Sequence, residues 1–110
     1  MKITVHHAIN NRETGILEGF CDVAEVNVWH VEDVNEALEY AYRYTNNVEG
    51  SWSMKIGGDA CDDVTVLAPL HETSDGRKMG LRSTSMFDRM TINGKTYKVD
   101  MMGFKEVEVV

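Results

Sequence analysis

Apolar and polar positions along the chain divide it into short alternating runs around a single 3.6-residue period. Lys2 to Ile9 alternates loosely and is rich in Ile and Val, which predicts a strand from the first residues. Asn10 to Gly15 reads as a turn, and Ile16 to Trp29 as a second extended segment. In that segment Val26, Val28 and Phe20 share a face, and Ala24-Glu25 suggests a bulge. The helical period falls in HVEDVNEALEYAYRYTNN. Val34, Ala37, Leu38, Ala41, Tyr42 and Thr45 form one buried stripe. Asp33 is placed to cap it, with Glu36 at the capping-box position, and Asn46-Asn47 ends it.

Beyond the helix the pattern loosens. Asn46 to Asp63 reads as the longest irregular stretch, with Trp52 arguing that it is ordered. Val64 to Ala68 reads as a short strand stopped by Pro69, and His71 to Leu81 as a polar loop. Ser83, Thr84 and Ser85 suit a turn whose backbone bonds Asp88 would accept. Met90-Thr91-Ile92 and Lys95 to Met101 flank Asn93-Gly94, a hairpin signal of type I′, because both turn residues need φ > 0. After Gly103, Lys105 to Val110 alternates, Val107 and Val109 facing opposite to Glu106 and Glu108. The expected fold is α+β: one domain over 1–110, a curved antiparallel sheet with one principal helix packed on it and a C-terminal β-meander.

Composition narrows the chemistry. With 110 residues, 43% hydrophobic and 26% charged, the chain suits one globular domain. No apolar run nears the roughly 20 residues of a membrane span, and no apolar leader opens the chain, so a cytoplasmic protein is expected. The formal charge of −7 is uneven: residues 11–63 hold twelve acidic against three basic residues. Such a surface disfavours direct nucleic-acid binding and suits solubility or a basic partner. Cys21 and Cys61 lie forty residues apart with no CxxC neighbour and are expected as reduced thiols.

No motif carries obvious catalysis. His6 and His7 fall on opposite strand faces and cannot grip one metal together, and His30 and His71 are scattered. No nucleophile elbow surrounds Ser83 to Ser85. Asp59, Asp62 and Asp63 lack calcium-loop spacing and read as a solvated loop, so neither a metal nor a cofactor is expected. Met79, Met86, Met90, Met101 and Met102 read as core by default and as a contact surface otherwise. Tyr40 and Tyr44, four apart, flank the buried stripe as core rim or interface anchors.

ALEYAYRYTNNVEGSWS, VTVLAPLH and RSTSMFD…INGKTYKVDMMGFKEV together resemble a set of small phage-encoded proteins, and the tail resembles YodL-like domains of mobile elements. The shared pattern is a helix ending in Thr-Asn, a Ser-Trp loop, and Arg-Ser-x-Ser-x-x-Asp…Gly-Phe-x-Glu, spanning about Glu36 to Val107. This chain departs where that turn often has Gly and it has Met86-Phe87. The resemblance implies a phage or mobile-element setting. It leads to the expectation of a non-enzymatic protein that binds and inhibits a host protein, such as a defence component, as a homodimer. Glu32, Glu36, Glu39, Tyr40, Tyr44 and the Ser51-Trp52 loop are the expected contact face. One alternative is a protein that sequesters a small nucleotide through Trp52, Arg82, Ser83 and Ser85; a further one is a DNA mimic.

Overall fold

The computed structural model describes residues 1–107. Strands β1 (Lys2–Asn10) and β2 (Leu17–Asn27) precede helix α1 (Val34–Tyr44). Then come β3 (Gly50–Ser51), β4 (Ile56–Gly57), β5 (Val64–Val66), β6 (His71–Glu72) and β7 (Lys78–Met79). β8 (Arg89–Ile92), β9 (Lys95–Asp100) and β10 (Gly103–Val107) follow. The architecture is α+β: a six-stranded sheet in the order β10-β9-β8-β1-β2-β5, every neighbouring pair antiparallel, with one helix against it. Two small hairpins, β3-β4 and β6-β7, stand apart from that sheet.

Strand alternation fixes which face meets the helix. Ile3 and Val5 of β1 are fully buried, and register places them beside Val26 and Ala24 of β2 and Ile92 and Met90 of β8. From α1, Ala37, Leu38 and Ala41 close this core, as their spacing requires, with Val34 and Tyr42 half-buried at its margin. Asp33 caps the helix by accepting the Glu36 N–H at 2.9 Å. The chain leaves the helix at Thr45, whose buried hydroxyl donates back to the Ala41 carbonyl.

Several boundaries move. β2 ends at Asn27, so Trp29 lies beyond the strand. The strand has two irregularities: one at Glu18, and one at Val23, where the pairing steps from Val5↔Ala24 to His6↔Asp22, one residue before the expected Ala24-Glu25. Val23 and Ala24 are therefore both buried. The strand expected over Val64 to Ala68 closes at Val66. The two stretches expected to be irregular each hold a hairpin. Asn93 (φ 52) and Gly94 (φ 77) both take the left-handed conformation the Asn-Gly pair predicted. Among the described residues β10 pairs with β9 alone, at an edge of the sheet, and the Lys2 strand lies between β8 and β2. Residues 108–110, including Glu108 and Val109 of the expected alternation, fall outside the described residues.

The methionines depart most from expectation. Only Met90 of the five is buried; Met79, Met86, Met101 and Met102 are exposed. Gly103 (φ 114) follows Met101-Met102 in the tight β9-β10 turn, and a turn that short cannot fold two long side chains back onto the core.

Candidate functional site

The Arg-Ser-Thr-Ser segment is a knot of internal hydrogen bonds. At its centre is Asp88, only 1% exposed. Its carboxylate takes both guanidinium nitrogens of Arg82, at 2.6 and 2.8 Å, and accepts the backbone N–H groups of Ala8 and Ser85, each at 2.8 Å. Burial acts to raise the Asp88 pKa, but the Arg82 bonds and the two N–H donors outweigh it and hold the carboxyl below its ordinary value. Arg82 also donates to the Ala8 and Ser83 carbonyls. Strand β1, the serine turn and β8 are thereby tied at one point.

These bonds weigh against the nucleotide-binding reading of the same residues. Arg82 already spends its fork on a buried carboxylate. The Ser83 hydroxyl accepts the Asn47 N–H at 2.8 Å, and the Ser85 hydroxyl faces Arg82. Trp52 is 0% exposed, its indole N–H donating to the Arg82 carbonyl at 2.9 Å. A ring with no exposed face can neither stack on a base nor touch a partner, so Trp52 leaves both candidate sites. It is a core anchor that fixes the Ser51-Trp52 loop under the serine turn. Asp59 is likewise a correction, being fully buried and not solvated. It accepts the Val48 and Glu49 N–H groups and the Arg43 guanidinium. Burial opposes ionisation there, and the Glu49, Arg43 and Val48 donors overcome it to lower the pKa. Among the described residues no group of three acidic, His or Cys side chains is placed to hold a metal.

His7 has a determined protonation pattern. Thr84 Oγ donates to Thr45 Oγ, which donates to the Ala41 carbonyl. The Thr84 oxygen must therefore accept from His7 Nε2, 2.9 Å away, and the proton sits on that nitrogen. Burial foremost, with the Arg82 charge adding to it and Asp88 opposing, lowers the His7 pKa to about 4. His7 and Cys21 are cross-strand partners and line the same cavity of ≈ 690 Å³, walled by Val23, Leu70 and Leu81. No hydrogen bond joins them, and the thiol points to the Asp22 carbonyl instead. Both cysteines are free thiols.

The other cluster lies along the flank of α1. Glu36, Tyr40 and Tyr44 follow one another at helical spacing, and Glu32 and Glu39 are exposed beside them. Tyr40 and Tyr44 touch, with ring centroids 4.8 Å apart. The row continues into two residues that were not part of the expected contact face. His30 stands edge-on to Tyr40 at 4.6 Å, and Trp29 edge-on to His30 at 5.4 Å. The Arg43 guanidinium covers the far end, 4.9 Å from the Tyr44 ring. Tyr40 is held in place by donating to Asp63 at 2.6 Å; burial and that bond raise its pKa, so the phenol stays protonated. Trp29 is 72% exposed. The signal for it was in the alternation: Val26 and Val28 point inward, which leaves Trp29 outward.

No protein-family model, no curated protein and no solved structure matches the chain. Among the described residues no helix is long and apolar enough to cross a membrane.

Proposed function

We propose that this chain is a non-catalytic binding protein whose aromatic row seats a basic surface of another protein. The observation that carries the reading is Trp29, a large aromatic left 72% exposed at the head of the ordered series Trp29, His30, Tyr40, Tyr44. Trp, Tyr and Arg are the residue types that dominate binding energy at protein interfaces, because they bury much area with few rotatable bonds. Here Arg43 closes the row and Glu32, Glu36 and Glu39 border it, within the most acidic half of the chain. That charge favours a partner carrying Lys and Arg and steers its approach. The inward use of Arg82, Asp88, Ser83 and Thr84 supports a binding role over a catalytic one, since those polar groups are spent on holding the fold. The resemblance to small phage-encoded proteins makes a host protein the proposed partner and its inhibition the consequence, in the cytoplasm of an infected bacterium.

Capture from a bacterial lysate, run in parallel with the intact chain and Trp29→Ala, tests the reading. A specific partner stays on the intact chain, is lost from the variant, and weakens sharply between ~50 and ~500 mM salt as screening requires. Equal retention by both chains removes the aromatic row from the function.

A further inference from the structure

The helix covers one face of the sheet, and the other carries an unusual row of charge. Register sets His6 opposite Arg89, Arg89 opposite Lys98, and Lys98 opposite Lys105, all on the face away from the core. Like charges directly opposed on neighbouring strands destabilise a sheet. His6 is tied to Asp22 on its other side. Arg89, Lys98 and Lys105 have no ion-pair partner among the described residues. In a chain of charge −7, this is a local reversal of sign.

Two further features converge on the same place. The Arg89 guanidinium lies over the Phe20 ring at 4.5 Å, and its Nε is buried without a hydrogen-bond acceptor. Phe87 occupies the left-handed region at φ 78, a conformation strained for a bulky residue. Its backbone is held there by the N–H bond to the Val99 carbonyl. Yet its ring is 61% exposed, so core burial does not repay the strain. Phe87, Phe20, Leu17, Arg89 and Lys98 line one cleft of ≈ 250 Å³.

We propose that this cleft binds a small organic anion, a planar ring joined to a phosphate or carboxylate, with the ring on Phe87 and the charge at Arg89 and Lys98. An anion there relieves the opposed cations, and an exposed aromatic in a strained conformation acquires a partner. The volume lies below the usual range of drug-sized sites, which fits one ring system and one charged group. The chain's net charge repels a nucleic-acid polymer. The site is on the face opposite the helix and stands or falls independently of the aromatic row.

Calorimetric titration with adenosine monophosphate, benzoate, adenosine and inorganic phosphate tests it. Saturable binding of adenosine monophosphate or benzoate is expected, the better of the two identifying the anionic group. Neutral adenosine and bare phosphate bind at least ~10-fold more weakly than the better ligand. Phe87→Gly melts at the same temperature as the intact chain or higher, and loses ~10-fold or more in affinity for that ligand. Lys98→Gln also weakens binding, with no loss of melting temperature. The proposal is overturned if neither ring anion saturates, if adenosine matches adenosine monophosphate, or if a single-stranded oligonucleotide outcompetes both anions. It is equally overturned if Phe87→Gly lowers the melting temperature, which makes the ring structural, or leaves affinity unchanged.

Discussion

Single residues set two properties that solution experiments can read. His7 is the first. It is 6% exposed, its ring is neutral in the folded chain, and its pKa is lowered from 6.5 to about 4. A depressed histidine means that the unfolded chain takes up the proton first. Stability is therefore full above about pH 6.5 and is lost as pH falls from there toward 4, by up to roughly 3 kcal/mol in all. Asp88 acts in a separate window: its carboxyl is held below 3.8, so its contribution is lost only as pH falls below that value. Urea midpoints measured between pH 7 and pH 4.5 are expected to drop for the intact chain and to flatten in His7→Gln, which keeps a donor toward Thr84 without titrating. An equal slope in both proteins would move the effect to another group. Gly94 is the second residue. At φ 77, with no atom near its missing Cβ, it needs glycine for conformation and not for space. Gly94→Val is expected to cost on the order of 1–3 kcal/mol, and an unchanged denaturation midpoint would reject the turn assignment.

Elements were legible in the sequence wherever a local rule decided them. The helix, its Asp33 cap and its buried stripe follow from period and charge alone, and the Asn-Gly hairpin from the φ demand of its turn. What was not legible depends on partners distant in sequence. Trp52 is buried because Arg82, thirty residues on, offers its carbonyl, and Asp59 because Arg43 and the Val48 and Glu49 amides converge on it. Loops rich in Gly, Ser and Asp read as solvated until such contacts are known. The serine turn lies between these cases. Its turn character and the accepting role of Asp88 were readable, but the ion pair with Arg82 and the reach to Ala8 were not. That knot makes a sharp prediction. Arg82→Gln strips a 1%-exposed carboxylate of its counter-charge and is expected to cost on the order of 3 kcal/mol, whereas Ser85→Ala is expected to cost less than about 1 kcal/mol. Chemical denaturation of both variants checks it. Similar, small losses would mean that solvent at the half-exposed Arg82 side already screens the pair.

At the scale of the whole molecule, the sheet's two edges differ. β5 is three residues long and is followed within three residues by Pro69, a blunted edge. β10 is longer, pairs with β9 alone, and presents its other backbone edge unpaired among the described residues. Glu106 is tied across the hairpin to Lys95, so one charge that could guard the edge is partly neutralised. Half-buried Phe104 shares the face of Glu106, half-buried Val107 lies on the opposite face with Lys105, and the turn beside them exposes Met101 at 81% and Met102 at 97%. An unpaired antiparallel edge next to exposed apolar side chains is a template for pairing with a second copy about a two-fold axis. The alternative is an edge protected by Lys105 and its neighbouring cations: two copies paired through β10 bring the Lys105 residues toward one another, and like charges at that junction oppose association. The balance depends on salt, because screening weakens the repulsion and leaves the backbone pairing intact. A homodimer through β10 is therefore expected to tighten as ionic strength rises, the reverse of the salt response expected for the basic partner at the aromatic row. Light scattering over a concentration series at low and high salt reads both the mass and its trend. Val107→Asp at the edge is expected to return the chain to one copy at every concentration. A single-chain mass under all conditions removes the dimer. A dimer that persists in Val107→Asp, or loosens with salt, places the contact on another surface, with the tyrosine flank of α1 the first to test by Tyr44→Ala.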